Sequence, residues 1–176
     1  STAGDVNGDG YDDMIVGAAS ADPGGDSSAG ETYVVFGSGS GFAASLDLST
    51  LDGNNGFRLD GIDAWDQSGY SVSTAGDVNG DGYDDMIVGA IYADPGGDTE
   101  AGETYVVFGS GSGFAASLDL ATLDGNNGFR LDGIDADDRS GYSVSTAGDV
   151  NGDGYDDMLV GAIYADPGGD TEAGET

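Results

Sequence analysis

The sequence contains no cysteine, no histidine and no lysine, and only three arginines among its 176 residues. Without cysteine there is no disulfide framework, thiolate metal centre or cysteine nucleophile, and redox compartment has no residue to be read from. Without histidine, the usual general base and the usual transition-metal ligand are both missing. The many Ser and Thr hydroxyls then have no imidazole to activate them, which excludes nucleophilic catalysis of the triad type. With almost nothing basic to meet a phosphate, nucleic acid and anionic membrane are poor partners. No apolar run approaches the roughly 20 residues of a membrane span, so membrane insertion is not expected. No basic, apolar leader opens the chain. Residue 1 falls inside a repeated unit, so the chain reads as cut from something longer.

What is present is acid. Asp and Glu number 34 and the formal net charge is −31. A compact body so charged repels itself unless cations or salt neutralise it, so the composition asks for bound metal, a saline setting, or both. Apolar residues still make up 38% of the chain, grouped in short aromatic and β-branched runs. That grouping argues against a disordered acidic tail, and the chain is expected to fold.

The sequence Asp-Val-Asn-Gly-Asp-Gly-Tyr-Asp-Asp occurs three times, at Asp5–Asp13, Asp77–Asp85 and Asp149–Asp157, with a spacing of 72 residues. Residues 1–72 and 73–144 align without a gap and differ at seven positions: Ala19/Ile91, Ser20/Tyr92, Ser27/Thr99, Ser28/Glu100, Ser49/Ala121, Trp65/Asp137 and Gln67/Arg139. Residues 145–176 restart the unit. A fixed period of this length marks a solenoid, propeller or array, in which each unit buries its faces against its neighbours.

Within one unit no segment sustains a 3.6-residue period, and apolar runs are separated by Gly, Asp, Asn and Ser clusters. Four strands are predicted. The first spans about 69–75, with Tyr70, Val72 and Thr74 on one face and the smaller Ser71, Ser73 and Ala75 on the other. The second, about 85–90, is a fully apolar run covered on both faces. The third is about 103–109. The fourth, about 128–133, alternates apolar and polar as an outer strand should. Residues 94–98 (Asp-Pro-Gly-Gly-Asp) and 109–113 (Gly-Ser-Gly-Ser-Gly) are loops. The stretch from Phe114 to Leu120 fits either a short helical turn or an extended cover. Gly17, Gly89 and Gly161 end the second strand, where a missing side chain lets another backbone approach. Four antiparallel strands with small residues innermost favour a β-propeller blade over a linear stack of β units.

The nine-residue loop carries the chemistry. Positions 1, 3, 5 and 9 supply side-chain oxygens: Asp5, Asn7, Asp9 and Asp13; Asp77, Asn79, Asp81 and Asp85; Asp149, Asn151, Asp153 and Asp157. Position 7 (Tyr11, Tyr83, Tyr155) offers its backbone carbonyl. The two glycines of each loop let the chain turn so that these donors converge. Calcium takes six to eight oxygens at roughly 2.3–2.6 Å in a tolerant geometry, whereas magnesium demands a tight octahedron, so one calcium ion per loop is expected, up to three in all. An EF-hand loop opens the same way but closes with an acid at position 12, which here is Val88, and its flanks are helices. A plain Asn-Gly or Asp-Gly hairpin turn needs two such residues, not four donors at alternate positions.

The run from Gly69 to Ala90, followed by Gly102-Glu-Thr-Tyr-Val-Val-Phe-Gly109, resembles the FG-GAP repeat of integrin α-subunit β-propellers and points to one of their bacterial relatives. Phe108-Gly109 is the Phe-Gly pair and Gly89-Ala90 the Gly-Ala pair; the family's proline is not directly after it, and Pro95 follows five residues on. The resemblance implies that the acidic loop joins the first two strands of a blade and binds calcium, and that residues 5–13 and 149–157 serve as second and third sites. Family propellers close with about seven blades, so a ring is expected to need further repeats or further copies of the chain.

Other acids, such as Asp22, Asp26, Asp60, Asp63 and Asp66, read as solvated loop carboxylates. Paired carboxylates of the glycosidase kind arise by chance in so acidic a chain. Trp65, the single tryptophan, either contacts a sugar or protein partner or caps its blade. The three arginines, Arg58, Arg130 and Arg139, read as local partners of neighbouring Asp residues. The expectation is a calcium-binding, all-β extracellular or cell-surface module, structural or adhesive and not enzymatic. Its partners would be calcium, copies of itself, or a protein or glycan ligand. The competing reading is a carbohydrate-binding or accessory domain of a secreted hydrolase or lyase.

Overall fold

The computed structural model describes residues 1–167, 170 and 173–176. Eleven strands run among these residues: β1 (Thr2–Gly4), β2 (Asp13–Ala18), β3 (Glu31–Val35), β4 (Gly56–Asp60), β5 (Ser68–Gly76), β6 (Asp85–Ala90), β7 (Glu103–Val107), β8 (Ser117–Asp119), β9 (Gly128–Asp132), β10 (Ser140–Gly148) and β11 (Asp157–Ala162). The only helical elements among the described residues are short 3-10 turns, two of them at the Pro-Gly-Gly sequences. Strands β5-β6-β7-β9 form an antiparallel sheet in that order, and β1-β2-β3-β4 repeat it; β10 and β11 pair as the first two strands of a third sheet. The four strands expected per unit are all present, at nearly the expected bounds.

The sheets stack face to face, and the stacking builds the core. Ile15 and Val34 of the first sheet pack with Met86, Val88, Tyr105 and Val107 of the second, in one cluster with Phe57 and Leu59. On the far face of the second sheet, Ile87 and Val106 meet Met158 and Val160 of the third. After Asp85 the second strand is apolar at every position because the sheet is covered on both faces, and all six residues of β6 are buried. The removal of such side chains from water is the main favourable contribution to folding.

The second-strand glycines sit where one sheet's backbone crosses the next. A Cβ on Gly17 would stand 2.0 Å from the Gly69 carbonyl oxygen, and one on Gly89 would stand 2.1 Å from that of Gly141. No side chain fits at either place.

The stretch 114–120 takes both of the conformations its sequence allows. Ser117–Asp119 is extended and pairs in parallel with β4 of the preceding sheet, Leu59 opposite Leu118; Leu120–Thr122 then turns as a 3-10 helix. Phe114 stacks on Phe57 at 4.2 Å between ring centroids. The link of the second repeat is thus a strap across the outer edge of the first.

Candidate cation-binding loops

Each nine-residue loop connects the first two strands of a sheet, and its ninth residue is the first residue of the second strand. In the second loop the Asp77 carboxylate sits at the centre of the turn. It accepts from the amides of Gly80 (2.7 Å) and Asp81 (3.1 Å) on one oxygen and Gly82 (2.9 Å) on the other. Asn79 Oδ1 accepts from the Asp81 amide and Asp81 Oδ1 from the Tyr83 amide, each turn spanning two residues. The same bonds recur around Asp5, Asn7 and Asp9 and around Asp149, Asn151 and Asp153. Gly80 and Gly82 take positive φ, 77° and 90°, which non-glycine residues rarely adopt.

In the first two loops the ninth residue differs from the others because it is buried; Asp157 in the third is half-buried. Asp13 and Asp85 are 1% and 0% exposed. Asp85 accepts from the amides of Val78 (3.0 Å) and Gly109 (2.9 Å), and Asp13 from those of Val6 and Gly37. Gly37 and Gly109 are the glycines of the Phe-Gly pairs, so that pair ends the third strand where its amide can reach the loop. In the third loop Asp157 accepts from Val150 and from the Asn151 side chain. Burial pushes the Asp85 carboxyl up to about 7, opposed by its two amide donors and assisted by the negative charges of Asp81 and Asp77. Burial likewise pushes Asp13 up to about 6.

Positive charge is absent from the loops. Arg58 pairs with Glu31 and Asp60, Arg130 with Glu103 and Asp132, and Arg139 with Glu100. The first two pairings include the neighbouring Asp that the sequence suggested. Arg139 does not follow that expectation: it reaches back 39 residues to Glu100 at 2.8 Å and lies over the rings of Tyr92 and Tyr164. Three of the seven differences between the first two repeats therefore form one cluster, in which Tyr92, Glu100 and Arg139 replace Ser20, Ser28 and Gln67.

The loop set fits a hard cation in donor type: oxygen throughout, three carboxylates and an amide, with no protein counter-charge. Asp77 Oδ1 already takes two amides, but Asp77 Oδ2 and both Asp85 oxygens take one each, which leaves each of them a lone pair able to accept again. The side chains are turned onto the loop's own amides, and among the described residues no three acidic groups converge as a ready-made cage.

The residue at position 8 joins neighbouring sheets. Asp84 leaves its own loop and accepts from the Asp5 amide at 2.8 Å, while its own amide donates to the Asp5 carbonyl. Asp156 does the same to Asp77. The loops are joined sheet to sheet through this carboxylate. Its only sequence signal is the doubled acid Asp-Asp, which the ninth position explains for one residue alone. Trp65 is 65% exposed and takes φ 78° in the turn before β5.

Stacked four-stranded antiparallel sheets, each with an acidic loop between its first two strands, are blades of a β-propeller fold. Residues 1–35, 68–107 and 140–176 match the FG-GAP repeat, and the chain belongs to that family. It is 35% identical over 163 residues to integrin alpha pat-2 of Caenorhabditis elegans, covering 90% of this chain and 12% of that protein. It is 32% identical over 173 residues to phosphatidylinositol-glycan-specific phospholipase D of Bos taurus, covering 98% and 19%. It is 31% identical over 166 residues to integrin alpha-V of Gallus gallus, covering 92% and 14%. The chain spans less than a fifth of the length of each of these relatives. Among the described residues no helix is long and apolar enough to cross a membrane.

Proposed function

We propose that the chain is a calcium-binding repeat module of an extracellular or cell-surface protein, with a structural and adhesive role and no catalytic one. The observation that carries this reading is Asp85: a buried carboxylate, flanked by the carboxylates of Asp77 and Asp81, with every arginine committed elsewhere. Burying a charge without a partner is costly, and a bound dication removes that cost. The units 1–72, 73–144 and 145–176 would each hold one ion.

In the second loop the ion would be held by the side chains of Asp77, Asn79, Asp81 and Asp85 and the Tyr83 carbonyl; in the first by Asp5, Asn7, Asp9, Asp13 and Tyr11; in the third by Asp149, Asn151, Asp153, Asp157 and Tyr155. Calcium, when bound, supplies positive charge that neutralises the loop. The chain's own residues do the rest: the amides of Gly80, Asp81 and Gly82 orient the Asp77 carboxylate, and those of Val78 and Gly109 orient that of Asp85. Because the ion would bind the folded loop and not the unfolded chain, its binding free energy adds to folding free energy. The adhesive role is what likeness to integrin alpha chains suggests, and the lack of histidine and cysteine agrees with a non-catalytic one.

Thermal unfolding tests the reading. Chelation with EDTA is expected to lower the melting temperature by several degrees or more, and millimolar calcium to restore it. An unchanged melt would remove calcium from the account.

A further inference from the structure

Two turns at the end of the blades opposite the acidic loops enclose a cavity of about 530 Å³ between the first and second repeats. One turn, 64–67, leads into β5, and the other, 92–100, follows β6. The backbone bonds that hold such turns are the same in both repeats: Trp65 and Gln67 donate to the carbonyls of Ser27 and Ser28, and Asp137 and Arg139 to those of Thr99 and Glu100. The Tyr92 amide donates to the Asp66 carbonyl at 3.3 Å and joins the two turns of the cavity. On this fixed frame the side chains vary. Trp65, Gln67, Tyr92, Thr99, Glu100 and Arg139 line the cavity, and they represent five of the seven positions at which the repeats differ. The six non-glycine residues with positive φ among the described residues are the two copies of three of those positions, 28/100, 65/137 and 67/139. Asp137 is of a type that tolerates such φ. Trp65, at 78°, is not, and at 65% exposed it gains little burial to offset the strain.

We infer that this cavity binds a neutral oligosaccharide, with one pyranose ring laid on the Trp65 indole. The exposed indole offers a flat apolar face to the C–H face of a sugar ring, and the walls supply what its hydroxyls need. Gln67, Thr99 and Arg139 can donate; Asp94, Glu100 and Gln67 can accept. A sugar hydroxyl does both, so it matches walls that carry both. The charges select against ions. The place a cation would take, beside the Glu100 carboxylate and over the Tyr92 ring, is filled by the Arg139 guanidinium, 2.8 Å from the one and 4.8 Å from the centroid of the other. An anion would meet Asp94, Glu100 and a molecule of net charge −31. The volume lies within the range of small-ligand sites. The inference rests on the reading of the chain as an adhesive module and gives that module a ligand class. It uses no calcium donor, since the 77–85 loop enters β6 and the 92–100 turn leaves it.

Trp65 is the chain's single tryptophan, so its fluorescence reports on this cavity alone. The test is a titration in millimolar calcium with cellohexaose, maltohexaose, mannohexaose and N-acetylchitohexaose, with tetramethylammonium chloride and Nα-acetyl-lysine amide as cationic controls. At least one oligosaccharide is expected to change the emission saturably, with half-saturation at or below about 1 mM, and neither cation to do so. Trp65→Asp and Tyr92→Ser each install the residue that the other repeat carries at that position, so both should fold and melt as the wild type does. By calorimetry each is expected to weaken binding of that oligosaccharide by at least about tenfold. No response to any of the four sugars, a response to the cations in their place, or variants that bind like the wild type would overturn the inference. Melting of the same samples in EDTA separates it from the calcium reading: a melt unchanged by chelator with sugar binding intact supports the cavity and removes the metal.

Discussion

Asp84 Oδ2 lies 2.8 Å from the amide nitrogen of Asp5, a residue 79 positions earlier and in the preceding blade. One carboxylate thus ties two acidic loops together. The bond places the loops in a row along the stack, each braced by the next.

Asp84→Ala leaves the part-buried Asp5 amide without its acceptor, and the expected loss is about 1–2 kcal/mol of unfolding free energy. Asp12→Ala removes the same residue from the outer face of the first blade. That change should stay within about 0.5 kcal/mol. Urea unfolding of the two variants side by side checks the difference; equal effects would show that the brace contributes nothing.

Gly89→Ala forces a Cβ against the Gly141 backbone, which has no side chain to swing aside. The joint must open, at a cost of about 1–3 kcal/mol or more. The Cβ of Gly161→Ala meets nearest the Ser143 hydroxyl, at 2.5 Å, and a rotamer change relieves that. Chemical unfolding should therefore rank Gly89→Ala well below Gly161→Ala in stability.

Asp66 gives the pH dependence. The sequence suggests a solvated loop carboxylate, but its side chain is buried, and burial together with the charges of Asp63, Glu103 and Asp94 raises its carboxyl to about 7 in the folded chain, from an ordinary 3.8. A raised acid binds its proton more tightly in the folded state. The penalty for ionising it is complete above about pH 7, shrinks as pH falls, and is gone below 3.8. In chelator, stability should rise as pH is lowered from neutrality toward 5, and Asp66→Asn should reduce that slope, leaving the contributions of Asp85 and Asp13, which burial also raises, to about 7 and about 6. A slope unaffected by the substitution would count against this assignment.

Much of the blade was legible in the sequence because its strands are short apolar runs between glycine-rich turns, and because the unit repeats. The start of the second strand at Asp85 was legible too, since Asp85 opens an apolar run. Contacts made across repeats were not. Phe42–Leu48 and Phe114–Leu120 have the same sequence, yet only the second contributes a strand, because only the second has a preceding β4 to lie on. Sequence proximity points Arg139 to a nearby Asp, but its partners are Glu100 and two tyrosines brought close by stacking. Asp84 carried no signal of its own, since its partner amide belongs to another blade.

Isothermal titration of the chelated chain with calcium addresses the central claim most directly. The wild type is expected to bind three ions. Asp81→Ala should bind two, because it removes a donor from the second loop and leaves the loops of Asp9 and Asp153 intact. Heat showing no binding, or a stoichiometry unchanged by Asp81→Ala, would contradict the account.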